Sequence, residues 1–156
     1  MIGAGLAGVR AAAELRAQGY EGRLTLLGAE EGPPYDRPPL SKRVLLAGGE
    51  PDLIDPTWLE GVDLHTGVTV AAVRPGTLTS TAGDEPWHGL VLAVGALPRR
   101  LAGSDGGAYV LRTAADAVRL RAALVPGAHV VVVGAGWIGA EVATAAAHRG
   151  CTVTVL

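Results

Sequence analysis

Two six-residue strings in this chain have the residue types and spacing to hold a phosphate. Gly3-Ala4-Gly5-Leu6-Ala7-Gly8 and Gly134-Ala135-Gly136-Trp137-Ile138-Gly139 both read Gly-x-Gly-x-x-Gly. A glycine turn leading into a helix aims free backbone N–H groups and the positive end of the helix dipole at an anion, and the missing side chains let a pyrophosphate come close. Glu30 follows Gly8 by 22 residues, close to the spacing at which a carboxylate accepts hydrogen bonds from an adenosine ribose. Glu31 competes for that role. Two cradles imply two dinucleotides, or one dinucleotide and a duplicated relic. If both bind, the simplest chemistry is hydride transfer between a nicotinamide and a flavin held face to face, which needs no protein nucleophile. Cys151 is the single cysteine, so no redox pair can form, and His65, His88, His129 and His148 lack metal-ligand spacing. No metal site is expected.

The elements that must position these turns repeat as well. Each turn is followed by an Ala-rich stretch ending in Gly19 or Gly150, and then by Leu24-Thr25-Leu26-Leu27 or Val153-Thr154-Val155-Leu156. Each unit therefore reads as glycine turn, helix of about three turns and buried parallel strand. The second turn has an entry strand, residues 128–133, whose β-branched run suits a strand covered on both faces. Before the first turn stand only Met1 and Ile2, and after Leu156 the usual closing acid would come next. The chain is accordingly expected to be a fragment of a longer one, or to have a mis-set start and stop.

Between the units lies a Pro-rich loop, residues 32–41, then a short helical piece. Residues 68–73 and 77–81 read as strands broken by Pro75-Gly76, and residues 90–95 as a second buried strand ending in glycine. From 113 to 124 the pattern is helical, with Thr113 as N-cap and Asp116 three residues on, near a capping box. Pro126-Gly127 ends it and marks a domain boundary.

Composition narrows the class. A hydrophobic fraction of 49% over 156 residues is too high for disorder, and 23 Gly with 10 Pro is too much punctuation for a helical bundle. A net charge of −2 argues against a nucleic-acid partner. No apolar run approaches the roughly 18–20 residues of a membrane span, and the start lacks the pattern of a secretory signal. The cytoplasm is the expected compartment, with no membrane partner.

Several strings together resemble the FAD-dependent, NADH-using ferredoxin and rubredoxin reductases of bacterial oxygenase systems, flavoproteins akin to the pyridine nucleotide-disulfide oxidoreductases. They are Ile2-Gly3-Ala4-Gly5-Leu6-Ala7-Gly8, Leu26-Leu27-Gly28-Ala29-Glu30, Pro34-Tyr35-Asp36-Arg37-Pro38-Pro39-Leu40-Ser41-Lys42, Leu90-Val91-Leu92-Ala93-Val94-Gly95, Val110-Leu111-Arg112-Thr113 and Val133-Gly134-Ala135-Gly136-Trp137-Ile138-Gly139-Ala140-Glu141. They fall in the family's order and cover essentially the whole chain. The Pro-Tyr-Asp-Arg-Pro-Pro-Leu-Ser-Lys string is the most specific, because a bare dinucleotide fold does not require it.

The resemblance implies an α/β, Rossmann-like FAD/NAD(P)-binding fold with two dinucleotide-binding units, both truncated at the chain ends. Residues 1–125 would be an incomplete FAD-binding domain and 126–156 the start of an NAD(P)H-binding domain. Gly3, Gly5, Leu6, Ala7 and Gly8 would hold the FAD pyrophosphate and Glu30 the adenosine ribose. Arg37, Pro38 and Lys42 would lie along the flavin, with Lys42 near the ring nitrogen that accepts hydride, where a cation stabilises developing negative charge. Val70 would line the adenine pocket, with Ala93, Gly95 and Arg112 near FAD. Gly134, Gly136, Trp137, Ile138 and Gly139 would take NADH, and Glu141 would face the nicotinamide and pair with Lys42. Lys42 and Glu141 are thus the catalytic candidates.

Plainer readings stand beside these. Arg37 and Lys42 also read as solvated charges, and Glu141, placed in the first helical turn, gains from the dipole whatever else it does. Ala93-Val94-Gly95 departs from the family's usual Ala-Thr-Gly by one hydroxyl, and Ala140 stands where a larger apolar residue is commoner. The reaction implied is hydride transfer from NAD(P)H to FAD, then electron transfer to a ferredoxin or rubredoxin. The alternatives are a related flavoenzyme with another acceptor, such as a nitrite reductase subunit, and a non-catalytic dinucleotide-binding remnant. A fragment of this extent is expected to be inactive alone and to bind FAD poorly or not at all, because half the walls of the cradle are missing. NADH and NADPH both stay open, since the residue that separates them is expected beyond Leu156.

Overall fold

The glycine turns dictate the local chain path, and each is followed by the helix that its spacing predicts. In the computed structural model, which describes residues 1–103 and 107–156, the chain forms two compact units. The first comprises Met1–Asp36 and Leu53–Ala96, the second Arg37–Asp52 and Leu97–Leu156. The boundary expected at 125/126 lies inside the second unit.

In the first unit, α1 (Leu6–Ala17) leads to β1 (Thr25–Leu27), which pairs in parallel with β2 (Asp63–His65), Leu26 facing Leu64 in register. Ile2 bridges both Leu27 and Leu92 in parallel, with Gly3 N–H donating to the Leu27 carbonyl at 2.8 Å and Ala93 N–H to the Ile2 carbonyl at 2.7 Å. α1 packs on β1 and on a 3-10 turn, Pro56–Leu59, and the contact is apolar: Val9 and Leu26 are fully buried beside Ile54, Trp58, Leu59 and Leu64. Each such side chain is worth about 2 kcal/mol of transfer free energy.

The rest of the unit is an antiparallel meander, β3 (Val70–Arg74), β4 (Thr77–Ser80) and β5 (Gly83–Pro86). Pro75-Gly76 turns β3 into β4 as its residue types predict, with Gly76 at φ +77°. Leu78 anchors the meander against Ile2 and Leu27, with Val68, Val70 and Trp87 around them. Residues 90–95 correct the expectation of a second buried strand. Only Leu92 makes a bridge, and Leu92 and Val94 are 64% and 69% exposed. The run is apolar, but one side of it pairs with Ile2 alone.

The second unit begins with a 3-10 turn, Pro38–Ser41, and a short helix α2 (Arg43–Ala47). Both pack against α3 (Ala114–Ala123) and α4 (Trp137–His148), and Leu40, Val44, Leu45, Leu120, Leu124, Ala145 and Ala146 are all buried. α3 starts with a full capping box: Asp116 N–H donates to Thr113 Oγ1 at 3.1 Å and Thr113 N–H to Asp116 Oδ2 at 2.8 Å. A cap of this kind is worth about 1 kcal/mol.

β6 (His129–Val132) pairs in parallel with β7 (Thr152–Val155), and α4 packs on both. Here the sequence pattern misled. The 128–133 run was expected to be covered on both faces, but Val131 and Val133 are 54% and 62% exposed, and Val155 is exposed too. Among the described residues, α4 covers one face of this two-stranded sheet.

Candidate functional site

The two turns share one backbone design. Gly3 and Gly134 take φ +103° and +108°, which an L side chain resists, and Gly5 and Gly136 are extended N-caps at φ −78° and −75°. Neither helix has a side-chain cap. The N–H groups of Leu6, Ala7 and Gly8, and of Trp137, Ile138 and Gly139, therefore have no acceptor within their helices. The third glycine of each turn serves packing. A Cβ on Gly8 would run into the Gly3 carbonyl, and one on Gly139 into the Gly134 carbonyl, with the carbonyl carbons 3.1 and 3.2 Å away.

The middle glycine is different. A Cβ built on Gly5 or on Gly136 meets nothing within 4 Å, so packing of the protein does not explain either glycine. What these positions offer is open space in front of unpaired N–H groups at the positive end of a 12-residue helix. That combination suits a pyrophosphate, whose oxygens need donors and close backbone approach. Both turns fit the phosphates of a dinucleotide on this test.

Around the first turn, Glu30 is half-buried and accepts a hydrogen bond from the Tyr35 hydroxyl through Oε2. Ala93 closes the turn from the other side, its carbonyl lying where a Cβ on Gly3 would go. Val70 is half-buried and packs on the Ile2, Leu27 and Leu78 cluster. Gly95 takes φ +68°.

In the second unit, Arg37 donates through Nη1 to the Arg112 carbonyl at 2.6 Å, and Arg112 N–H donates to Asp116 Oδ2 at 3.1 Å. Burial pushes the Asp116 carboxyl up, but the bonds from Thr113 and Arg112 and the charge of Arg119 outweigh it and hold it below the ordinary value. Trp137 and Ile138 project from the second turn, 89% and 56% exposed.

Lys42 and Glu141 come together: Lys42 Nζ lies 3.2 Å from Glu141 Oε1 and also 3.2 Å from the Pro38 carbonyl oxygen, to which it donates. Ser41 completes this group. Its hydroxyl donates to Glu141 Oε2 at 2.5 Å. This bond is the largest single cause that lowers the pKa of Glu141, and the hydrogen bond and charge of Lys42 act in the same direction, against the opposing effect of burial. Glu141 is the fifth residue of α4, just past the first turn where the sequence reading put it, so the helix dipole acts on it weakly. Sequence reasoning quoted Ser41 within a motif but gave it no role. Its signal was the hydroxyl beside Lys42, which only the fold connects to a residue 100 positions away.

Among the described residues no three of His, Cys, Asp and Glu gather as a metal ion requires, and no helix is long and apolar enough to cross a membrane.

The chain is 44% identical over 167 aligned residues to the biphenyl dioxygenase system ferredoxin--NAD(+) reductase component of Paraburkholderia xenovorans (strain LB400), an alignment that covers all of this chain and 41% of that protein. Among solved structures, it is 48% identical to Fdr9 with a TM-score of 0.92, covering 99% of this chain and 40% of that one. It is 34% identical to a chain of the covalent putidaredoxin reductase-putidaredoxin complex, with a TM-score of 0.90 and coverage of 99% and 40%. The chain thus spans about two fifths of the length of these relatives, and it shares their α/β, Rossmann-type reductase fold. The model of the pyridine nucleotide-disulphide oxidoreductases matches residues 1–156, and the chain belongs to that family.

Proposed function

We propose that this chain is the coenzyme-gripping part of an NAD(P)H-dependent ferredoxin or rubredoxin reductase, with FAD on the first turn and NADH or NADPH on the second. The observation that carries the reading is the doubled turn. Gly5 and Gly136 each leave open space before unpaired N–H groups, while Gly8 and Gly139 are pressed against carbonyls. The names of the relatives support the acceptor, since one is a ferredoxin--NAD(+) reductase component and another was crystallised with putidaredoxin.

FAD, when bound, supplies a ring that takes a hydride from a nicotinamide and releases the electrons singly. The chain's own part is positioning and charge. The N–H groups of residues 5–8 hold the pyrophosphate, and Glu30, oriented by Tyr35, accepts the ribose hydroxyls. The Lys42 ammonium is held in place by Glu141 and the Pro38 carbonyl. Glu141 is kept ionised, so it presents acceptor oxygens to an incoming carboxamide. Arg37, Pro38, Val70, Ala93, Gly95 and Arg112 are assigned to FAD, and Trp137 and Ile138 to the second coenzyme, on the family resemblance. Residues 1–125 then serve FAD and 126–156 begin the NAD(P)H part. The compartment we assign is the cytoplasm, where a lone cysteine stays reduced.

Replacing the matching segment of the biphenyl dioxygenase reductase component with residues 1–156 tests this. The chimera is expected to purify with FAD and to pass electrons from NADH to a ferredoxin. A chimera that folds, holds the coenzymes and reduces no ferredoxin or rubredoxin would overturn the reading.

A further inference from the structure

Glu141 has two carboxylate oxygens, and two adjacent residues each take one. Lys42 Nζ lies 3.2 Å from Oε1 and the Ser41 hydroxyl 2.5 Å from Oε2. The two contacts differ in kind. Lys42 has a side chain 54% exposed, where water screens an ion pair and leaves it worth little. Ser41 is only 6% exposed, so water competes little for its hydroxyl. Its other acceptor is the Pro38 carbonyl at 3.5 Å, at the outer limit for a hydrogen bond. A charge-assisted O–H donation to a carboxylate is among the stronger hydrogen bonds. Other charges on the elements packed against α4 are engaged elsewhere: Arg43 with Asp52 at 2.6 Å, His129 with Thr154 at 3.0 Å, and Arg37 with the Arg112 carbonyl.

We propose that Ser41 is a positioning residue for Glu141: its hydroxyl on Oε2, with Lys42 on Oε1, fixes the plane in which that carboxylate meets the nicotinamide. This rests on the reductase reading and adds to it a residue that holds the carboxylate without touching the coenzyme. With Lys42 alone, the carboxylate would have one oxygen held by a half-exposed ammonium and could still rotate about its last torsion. With Ser41 in place both oxygens are pinned by consecutive residues at the end of one 3-10 turn.

The test is a carbon-13 NMR titration of the Glu141 carboxyl in the whole chain without coenzyme. Ser41→Ala should shift the Glu141 titration upward, by more than Lys42→Met does, and Ser41→Thr should restore the original curve. Ser41→Cys, which keeps the buried volume but donates weakly, should reproduce the upward shift if the alanine variant does not fold. Ser41→Cys titrating like the parent, or Lys42→Met giving the larger shift, would overturn the assignment. Because no coenzyme is present, that failure would leave the reductase reading intact, whereas a chimera unable to reduce a ferredoxin would sink the reading and leave the Ser41 contact standing.

Discussion

The two glycine turns have the same backbone angles but not the same surroundings. The first is walled in: Ile2 bridges Leu27 on one side and Leu92 on the other, and the Ala93 carbonyl occupies the space beside Gly3. The second is open, with nothing within 4 Å of a Cβ on Gly134 and exposed valines on the strand before it. The helices differ in the same sense, Val9 of α1 being fully buried and Val142 of α4 9% exposed. Identical motifs thus carry different constraints. Gly3 is required twice, by its dihedral angle and by a neighbouring chain, and Gly134 once.

Substitutions can break this comparison. Gly3→Ala adds a backbone collision to an unfavourable φ and should cost about 4 kcal/mol or more, whereas Gly134→Ala pays for the dihedral alone, about 1–3 kcal/mol. Fluorine-labelled tryptophan read during urea unfolding separates the units, since Trp58 and Trp87 report on the first and Trp137 on the second. Equal losses at the two positions would contradict the asymmetry. Gly8→Ala and Gly139→Ala should behave alike, each losing about 3 kcal/mol, because both push a methyl into the carbonyl of their own turn.

A smaller effect is expected in the second unit from Thr113→Ala, which removes one half of the capping box and should lower stability by about 1 kcal/mol in the same assay. Acid should weaken that unit further. Folding lowers the pKa of Asp116 and of Glu141. Each therefore contributes stability that is whole above its ordinary value, near 4, and is lost as pH falls through the lower folded value. Thermal midpoints measured down through that range should fall less steeply in Asp116→Asn than in the parent. Parallel slopes would refute the assignment. The smallest change in stability should come from Gly5→Ala and Gly136→Ala, under about 1 kcal/mol, since neither methyl meets anything.

What could be read from the chain before folding was local. The glycine turns, α1 and α4 announced themselves by spacing, and α3 by Thr113 and Asp116. β2 and β5 did not: Asp63-Leu64-His65 is too short for a pattern, and Gly83-Asp84-Glu85-Pro86 is polar and carries both a glycine and a proline. Each exists because a neighbour offers hydrogen bonds, β1 for the first and β4 for the second. The reverse error, at residues 90–95 and 128–133, has the same root. An apolar run shows that a strand tolerates burial, while its pairing partners decide whether it is buried. The site divides likewise. The turns and Glu30 are readable from spacing, but the meeting of Ser41 with Glu141 across 100 residues is a product of α2, α4 and the 3-10 turn packing together.

Whether each turn grips its own coenzyme can be read by amide NMR of the chain titrated separately with FAD and with NADH, since weak binding suffices. FAD should move the N–H signals of Gly5, Leu6, Ala7 and Gly8, NADH should move those of Gly136, Trp137, Ile138 and Gly139, and Gly5→Ala should abolish only the first response. FAD signals confined to the second turn, or NADH signals confined to the first, would overturn the assignment.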